Sequence, residues 1–244
     1  MTTQTHIYRR TAIAVGILYV IATAVSLLST TLTSGALDAP DYLARVAARG
    51  DQTIAAALLL IAGGVAAVLI AALLFPVLRR FGEGMALGYV GIRILEAVTL
   101  LVDAVGLLLL VSVGRESVRA VAGSAAASHW SAAGALLQAM HEWAFALDPV
   151  VFGPGAVLLY LLLYRSRLVP RWLSVWGLVG AALVFVYALL RMYGGGTMLL
   201  ALPIGVQEMV LAGWLIARGF DFSRTGRARA VRAPGALELA GGES

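Results

Sequence analysis

The chain contains no cysteine and no lysine. The first absence excludes disulfides, thiolate nucleophiles and cysteine-ligated clusters. The second leaves all 18 basic positions to arginine, which together with abundant Ala, Gly and Val fits a GC-rich bacterial genome. Charge is scarce as well: charged residues make up 13% of the 244, against about 25% in soluble domains. Hydrophobic residues reach 61%, more than one core of a chain this long can hide, so the remainder has to face lipid. The net charge of +5 would suit a nucleic-acid partner by size alone, but its distribution points to a membrane and to no nucleic acid.

Six apolar stretches run along the chain at about 11–29, 53–78, 85–112, 135–164, 172–191 and 198–217. Each approaches the roughly 20 residues that a helix needs to cross hydrocarbon, and helix is required because unpaired backbone groups are not tolerated there. The fold class expected is therefore all-α, a polytopic transmembrane bundle of six spans. Arginine is unevenly placed between the spans. Arg9, Arg10, Arg79, Arg80, Arg165, Arg167, Arg171, Arg218 and the stretch from Arg224 to Arg232 fall on one side, and Arg45, Arg49, Arg115 and Arg119 on the other. The positive-inside rule then makes both termini cytoplasmic and places the protein as a multi-pass protein of the bacterial inner (plasma) membrane. A cleavable leader competes for the first stretch, since Ser34-Gly35-Ala36 resembles a cleavage site. The run from Thr11 to Leu28 is longer than a leader core of about 7–15 residues, which favours a span.

Outside the spans, Asp41 and the run Tyr42 to Arg49 read as a short amphipathic interfacial helix after Pro40. Residues 114–134 read as a second, Ala-rich surface segment. Domain organisation follows: 1–220 as the six-helix transmembrane domain and 221–244 as a disordered Arg-rich cytoplasmic tail, its composition offering no apolar period.

Ionisable residues inside the spans carry the functional information, because each costs at least a few kcal/mol at bilayer depth unless paired or wet. The third span holds Arg93, Glu96 and Asp103 within about 80° of one another, with Tyr89 on the same stripe. On the fourth, His141, Phe145 and Asp148 share a face, with Glu142 turned away. The sixth adds Gln207 and Glu208. The first two spans hold nothing ionisable and are expected to be outer walls. Counting about 1.5 Å of rise per residue from the cytoplasmic ends, Arg93, Glu96 and Glu208 lie level at about 12, 17 and 14 Å. Asp103, Asp148 and Arg191 form a deeper layer at about 27, 24 and 28 Å. Arg93 is accordingly expected to pair with Glu96, Glu208 or both, and Asp103, Asp148, His141 and Arg191 to approach one another. Two buried arginines against Glu96, Asp103, Asp148 and Glu208 leave carboxylates in surplus, to be protonated, hydrated or met by a bound cation.

Catalytic patterns mostly fail. His141-Glu142 starts a zinc-binding helix motif, but position 145 is Phe where the second histidine is needed. A site built from His141, Asp148 and carboxylates of the third span remains the metal alternative. Gly82-Glu83-Gly84 and Gly88 have the wrong spacing for a dinucleotide loop and follow no strand. Asp148-Pro149 and Gly153-Pro154-Gly155 interrupt the fourth span, as in transporters that build sites from broken helices. Gly63, Gly64, Gly177 and Gly180 read as close helix contacts.

Three separated motifs carry a resemblance. Ala86 to Glu96 (ALGYVGIRILE), Leu161 to Leu173 (LLLYRSRLVPRWL) and Leu202 to Met209 (LPIGVQEM), continued to Phe220, resemble the bacterial integral membrane family catalogued as domain of unknown function 4386. The likeness covers about residues 7–220 and implies an integral membrane protein of the same helix count. It implies no activity. Arg93, Glu96 and Glu208 are the charged positions of these motifs that fall inside the spans.

The functional expectation is a non-enzymatic membrane protein, a small transporter or accessory factor, whose polar core (Arg93, Glu96, Asp103, His141, Asp148, Arg191, Gln207, Glu208) serves either as structural ion pairs or as a site for a small polar ligand or cation. Its partner in every case is the lipid bilayer, and no cofactor, catalytic residue or metal ligand is assigned. The alternative is a membrane-embedded enzyme using carboxylates and His141, with or without a metal.

Overall fold

Long apolar runs interrupted only by glycine- or proline-containing turns leave the backbone one economical arrangement in lipid, consecutive antiparallel helices. The computed structural model describes residues 3–222, and among these the chain is all helix, with no strand. The elements are α1 (Thr3–Leu37), α2 (Tyr42–Ala48), α3 (Gly50–Leu78), α4 (Glu83–Arg119), α5 (Ala125–Ser166), α6 (Arg171–Met192) and α7 (Leu202–Ala217). A single 3-10 turn, Met198–Leu200, leads into α7. Six helices, all but α2, are long and apolar enough to cross a membrane.

Local chemistry sets the ends. Glu83 opens α4 and Arg119 closes it, each complementing the helix dipole. Ser124 caps α5 by accepting from the Ala127 amide at 3.2 Å. Arg167, at φ 57°, ends that helix in the left-handed conformation before Pro170 prevents its continuation. Pro203 sits in the first turn of α7, where its missing N–H costs nothing.

Each span packs on its neighbours in sequence, α1 on α3, α3 on α4, α4 on α5, α5 on α6 and α6 on α7, and α7 returns to α1. The spans thus form a closed ring with a lumen. The face where α1 begins and α7 ends is called here the terminal face, and its opposite the loop face. In the terminal half the ring is filled by Tyr19, Ile70, Leu74, Tyr89, Leu159, Tyr160, Leu173 and Leu211. A smaller core of Leu37, Val46, Ala56, Ala57, Leu107 and Leu110 joins α1, α2, α3 and α4 near the loop face. Outward faces carry exposed Leu, Val and Ile, such as Leu58, Leu69, Leu95, Val102, Val179 and Val186, an apolar belt that fits lipid rather than water. The chain is a multi-pass membrane protein.

Several expectations change. The segment 114–134 is not a separate surface segment: α4 and α5 run on as a helical hairpin, 37 and 42 residues long. At 1.5 Å per residue these are about 56 and 63 Å, against a hydrocarbon core of about 30 Å. The short helix α2 forms where expected, but it is tucked against this extension, with Val46 fully buried. Gly114 and Gly134 make room for it: an added Cβ would lie 2.8 Å from the Leu43 carbonyl oxygen and 2.7 Å from Leu43 Cδ2, respectively. Pro149 and Pro154 do not break α5, which stays helical through both. They remove the amides that would otherwise bond the carbonyls four residues earlier, Phe145 and Val150. Glycine approach is confirmed at Gly64, where a Cβ would lie 3.3 Å from Ala97 Cα, and at Gly180, 3.0 Å from Ile204 Cα. At Gly63 the nearest atom, Val25 Cγ2, would be at an ordinary 3.6 Å. Of the expected tail, Asp221 donates its amide to the Leu168 carbonyl at 2.9 Å, Phe222 stacks on Tyr8 with centroids 4.8 Å apart, and 223–244 lie outside the described residues.

Candidate functional site

A period of 3.6 puts Tyr89, Arg93, Glu96 and Asp103 on the buried stripe of α4 while Leu87, Leu95, Val98 and Val102 face out. This stripe runs up one wall of the lumen. At the boundary of the filled half, Arg93 Nη1 donates to Glu96 at 2.7 and 2.8 Å. The guanidinium lies over the rings of Phe152 and Tyr89, 5.4 and 5.7 Å from their centroids. Pairing therefore occurs within one helix, at i and i+3. The pairing expected with Glu208 across to α7 does not form as an ion pair; Glu208 shares the lower cavity with Arg93 and Glu96.

That cavity, about 280 Å³, is lined by residues from all six spans. It is the lumen of the ring. Its floor holds Tyr19; the hydroxyls of Tyr19 and of Tyr89 on the stripe below are buried without a hydrogen-bond partner. A second cavity of about 210 Å³ continues toward the loop face, lined by Asp103, His141, Glu142, Asp148 and Arg191. The upper layer expected from depth is thus brought together. His141 Nδ1 and Asp103 Oδ1 are 2.5 Å apart, a contact that requires one proton between them. Arg191 does not pair with a carboxylate: its Nη1 donates to the Tyr187 hydroxyl at 3.2 Å and its guanidinium stacks 4.9 Å from the Phe145 centroid. Glu142, expected to turn away, lines the upper cavity.

Asp148 joins the two cavities, lining both together with Ser26, Leu60 and Leu100. Its Oδ1 is shielded and has no hydrogen-bond partner, and the nearby charges acting on it include two carboxylates, Glu96 and Asp103, and one cation, Arg93. Across both cavities the ionisable lining comprises Asp38, Glu96, Asp103, Glu142, Asp148 and Glu208 against Arg93, Arg191 and His141. Carboxyl groups outnumber basic groups even with His141 counted among the latter.

The wall facing these carboxylates was not foreseen. Although α1 has no ionisable residue in its apolar run, Thr23, Ser26, Ser29, Thr30, Thr33 and Ser34 line the cavities. Their spacing of three and four is a helical stripe, so the signal was present in the sequence as hydroxyls rather than charges. Ser29 donates to the Ala56 carbonyl at 3.0 Å and Thr30 to the Ser26 backbone carbonyl at 3.1 Å, which leaves hydroxyl oxygens to accept from a guest. The stripe ends at exposed Asp38, where the Gln138 amide of α5 also caps the Leu37 carbonyl at 3.1 Å.

Gln207 is placed elsewhere. Fully buried, it accepts from the Tyr160 hydroxyl at 2.5 Å and donates to the Leu173 carbonyl at 3.1 Å, joining α5, α6 and α7 as polar glue. The three-way metal set of His141, Asp148 and third-span carboxylates does not assemble: among the described residues no group of three His, Asp or Glu is arranged to hold an ion.

A family model, described as Domain of unknown function (DUF4386), matches residues 14–219. No curated protein and no solved structure matches the chain.

Proposed function

This chain belongs to the family described as Domain of unknown function (DUF4386), and from that premise we propose that it is a non-enzymatic membrane protein, a small transporter, that takes a small cationic solute into the lumen of its ring. The observation that carries this reading is Asp148, a carboxylate shared by two cavities with one oxygen unpartnered. Arg93 is already committed to Glu96, and Arg191 to Tyr187 and Phe145. Either a proton or a guest cation is left to neutralise it, since burying an unpaired carboxylate is costly, and the mixed polar lumen around it favours the guest. Structural pairing accounts for Arg93–Glu96 and for Gln207, but not for Asp148. The second reading, a membrane-embedded enzyme, draws on the His141–Asp103 contact, a general-base arrangement within an accessible cavity. Arginine asymmetry supports a cytoplasmic terminal face in a bacterial inner membrane, so the polar mouth at Asp38 opens outward. Reporter fusions after Phe220 and between Asp38 and Asp51 test that orientation, a periplasmic signal from the former being the contrary result.

The absence of cysteine makes the lumen easy to probe. Thr30→Cys and Ser26→Cys, each in the full chain reconstituted in lipid, should react at least tenfold faster with a cationic than with an anionic methanethiosulfonate reagent, because the local potential concentrates cations. Equal rates, or no reaction with either, would refute a wet, cation-preferring lumen. His141→Gln separates the two readings: it spares cation entry under the transport reading and abolishes turnover under the enzymatic one.

A further inference from the structure

The seam where α1 meets α7 closes the ring over only half its length. In the terminal half Gly16 lets the helices touch: an added Cβ would lie 2.7 Å from Ile216 Cγ1 and 2.8 Å from the Ala212 carbonyl oxygen. Arg9 locks the same end, donating to the carbonyls of Leu215, Ile216 and Ala217 at 3.2, 2.8 and 3.2 Å. Toward the loop face the lower cavity reaches both helices, at Thr23 and Leu27 on α1, at Gly205 on α7 and at Ala201 just before it. A Cβ on Gly205 would meet nothing within 4 Å, and Leu27 is 59% exposed although it lines the cavity. The gap lies within the membrane-spanning stretch Met198–Ala217 and is flanked by exposed Leu28, Leu202 and Val206. It therefore faces hydrocarbon rather than water.

We infer that the lumen is loaded sideways through this seam from within the bilayer, and that its ligand is an amphiphilic organic monocation, an ammonium head on a short apolar body. The inference rests on the cation-binding reading above and adds the route and the ligand class. Charge selects the head: Asp148, Glu96 and Glu208 face Arg93 alone in the lower cavity. Shape and surface select the body, because Leu59, Leu60, Ala67, Val184 and Ile204 form the rest of that wall and the two cavities together have the size and mixed lining of a small-molecule site. A zwitterionic lipid head carries the same ammonium, but its phosphate would add an anion to a lumen already in carboxylate excess.

The test is equilibrium binding to the full chain in lipid nanodiscs, with empty nanodiscs as the partitioning control, using tetramethylammonium, butyltrimethylammonium, hexyltrimethylammonium and hexylphosphocholine. Each added methylene should tighten binding about threefold to fourfold, the gain for burying one CH₂ group, and hexylphosphocholine should bind at least tenfold more weakly than hexyltrimethylammonium. Asp148→Asn should abolish binding of all three cations. Gly205→Phe, placed where the helix has open space, should slow hexyltrimethylammonium association at least tenfold, and by more than it slows tetramethylammonium association. Equal affinity along the cation series, or equal binding of hexylphosphocholine, overturns the ligand class while the cation-binding lumen stands. An unchanged association rate in Gly205→Phe overturns the route. No binding of any cation overturns the underlying reading as well.

Discussion

The two halves of the ring are built from the same six helices and treat their interior in opposite ways. On the terminal side, Tyr19, Tyr89, Tyr160 and a set of leucines fill the lumen, glycines bring backbones together, and Gln207 ties three helices by hydrogen bonds to a ring hydroxyl and a carbonyl. Toward the loop face the same helices enclose two cavities lined by carboxylates and hydroxyls. Between helices in lipid there is no hydrophobic gain from association, so adhesion comes from close packing and polar contacts. Concentrating that adhesion in one half leaves the other free to hold groups that a well-packed core would expel. A rigid base supporting a polar, hollow upper half is the arrangement expected of a binding site held by its scaffold.

Four changes break or sharpen this contrast. Arg93 sits on the boundary, and Arg93→Met should have the largest effect, about 3–5 kcal/mol of lost stability, since it strands Glu96 without a counter-ion. Thermal melting in detergent should show most of that loss restored in Arg93→Met/Glu96→Gln; no restoration would mean that the pair is not a unit. Gly177→Val comes next, at about 1–3 kcal/mol, because a Cβ there runs into the buried Tyr160 ring. Its counterpart in the hollow half, Gly205→Ala, should fall within about 0.5 kcal/mol of the parent protein, and equal losses at both positions would erase the distinction between the halves. Asp148→Asn should melt within about 0.5 kcal/mol of the parent or above it, since no protein group depends on its charge, and a clear loss would reveal a structural partner. The smallest effect lies outside the membrane. The hydrogen bond from Arg45 Nε, 2.7 Å long, holds the exposed Asp41 carboxyl below its ordinary value of 3.8. A folded-state value below the unfolded one means that this contribution is present above the unfolded value and is lost as pH falls through the folded one. Hydrogen exchange in Tyr42–Ala48, corrected for intrinsic rates, should therefore rise modestly between pH 5 and pH 3, and Asp41→Asn should remove the change.

The spans were legible because hydropathy alone settles where a chain can cross lipid. Their lengths were not. Apolar counting stops at about 112 and restarts at about 135, while α4 and α5 continue as helix into the polar region, where Ala-rich sequence and the contact with α2 sustain them. Within the site, periodicity placed Arg93, Glu96 and Asp103 on one stripe, and depth brought Asp103, His141, Asp148 and Arg191 to one cavity. Partner choice was beyond that reasoning. Arg93 reaches Glu96 on its own helix rather than Glu208 on α7, and Arg191 prefers an aromatic face and a phenol, because side-chain reach and helix rotation decide among groups at equal depth. Searching for charge also hid the role of α1, which is an outer wall by exposure and yet supplies the hydroxyl side of both cavities.

The lock between Arg9 and the carbonyls of Leu215 to Ala217 joins residues more than two hundred positions apart, and this has a consequence for biogenesis. While the chain is being made, the first span has to wait in the bilayer for the sixth, its Gly16 face without the helix it fits. Until α7 arrives, the ring is an open arc whose polar stripe faces lipid or whatever insertion machinery shields it. Ring closure is then a late, long-range event of the kind that slows folding. Substitutions at Arg9 or Gly16 should accordingly be felt most during assembly, as a longer-lived and more degradation-prone nascent state, even where the finished protein tolerates them.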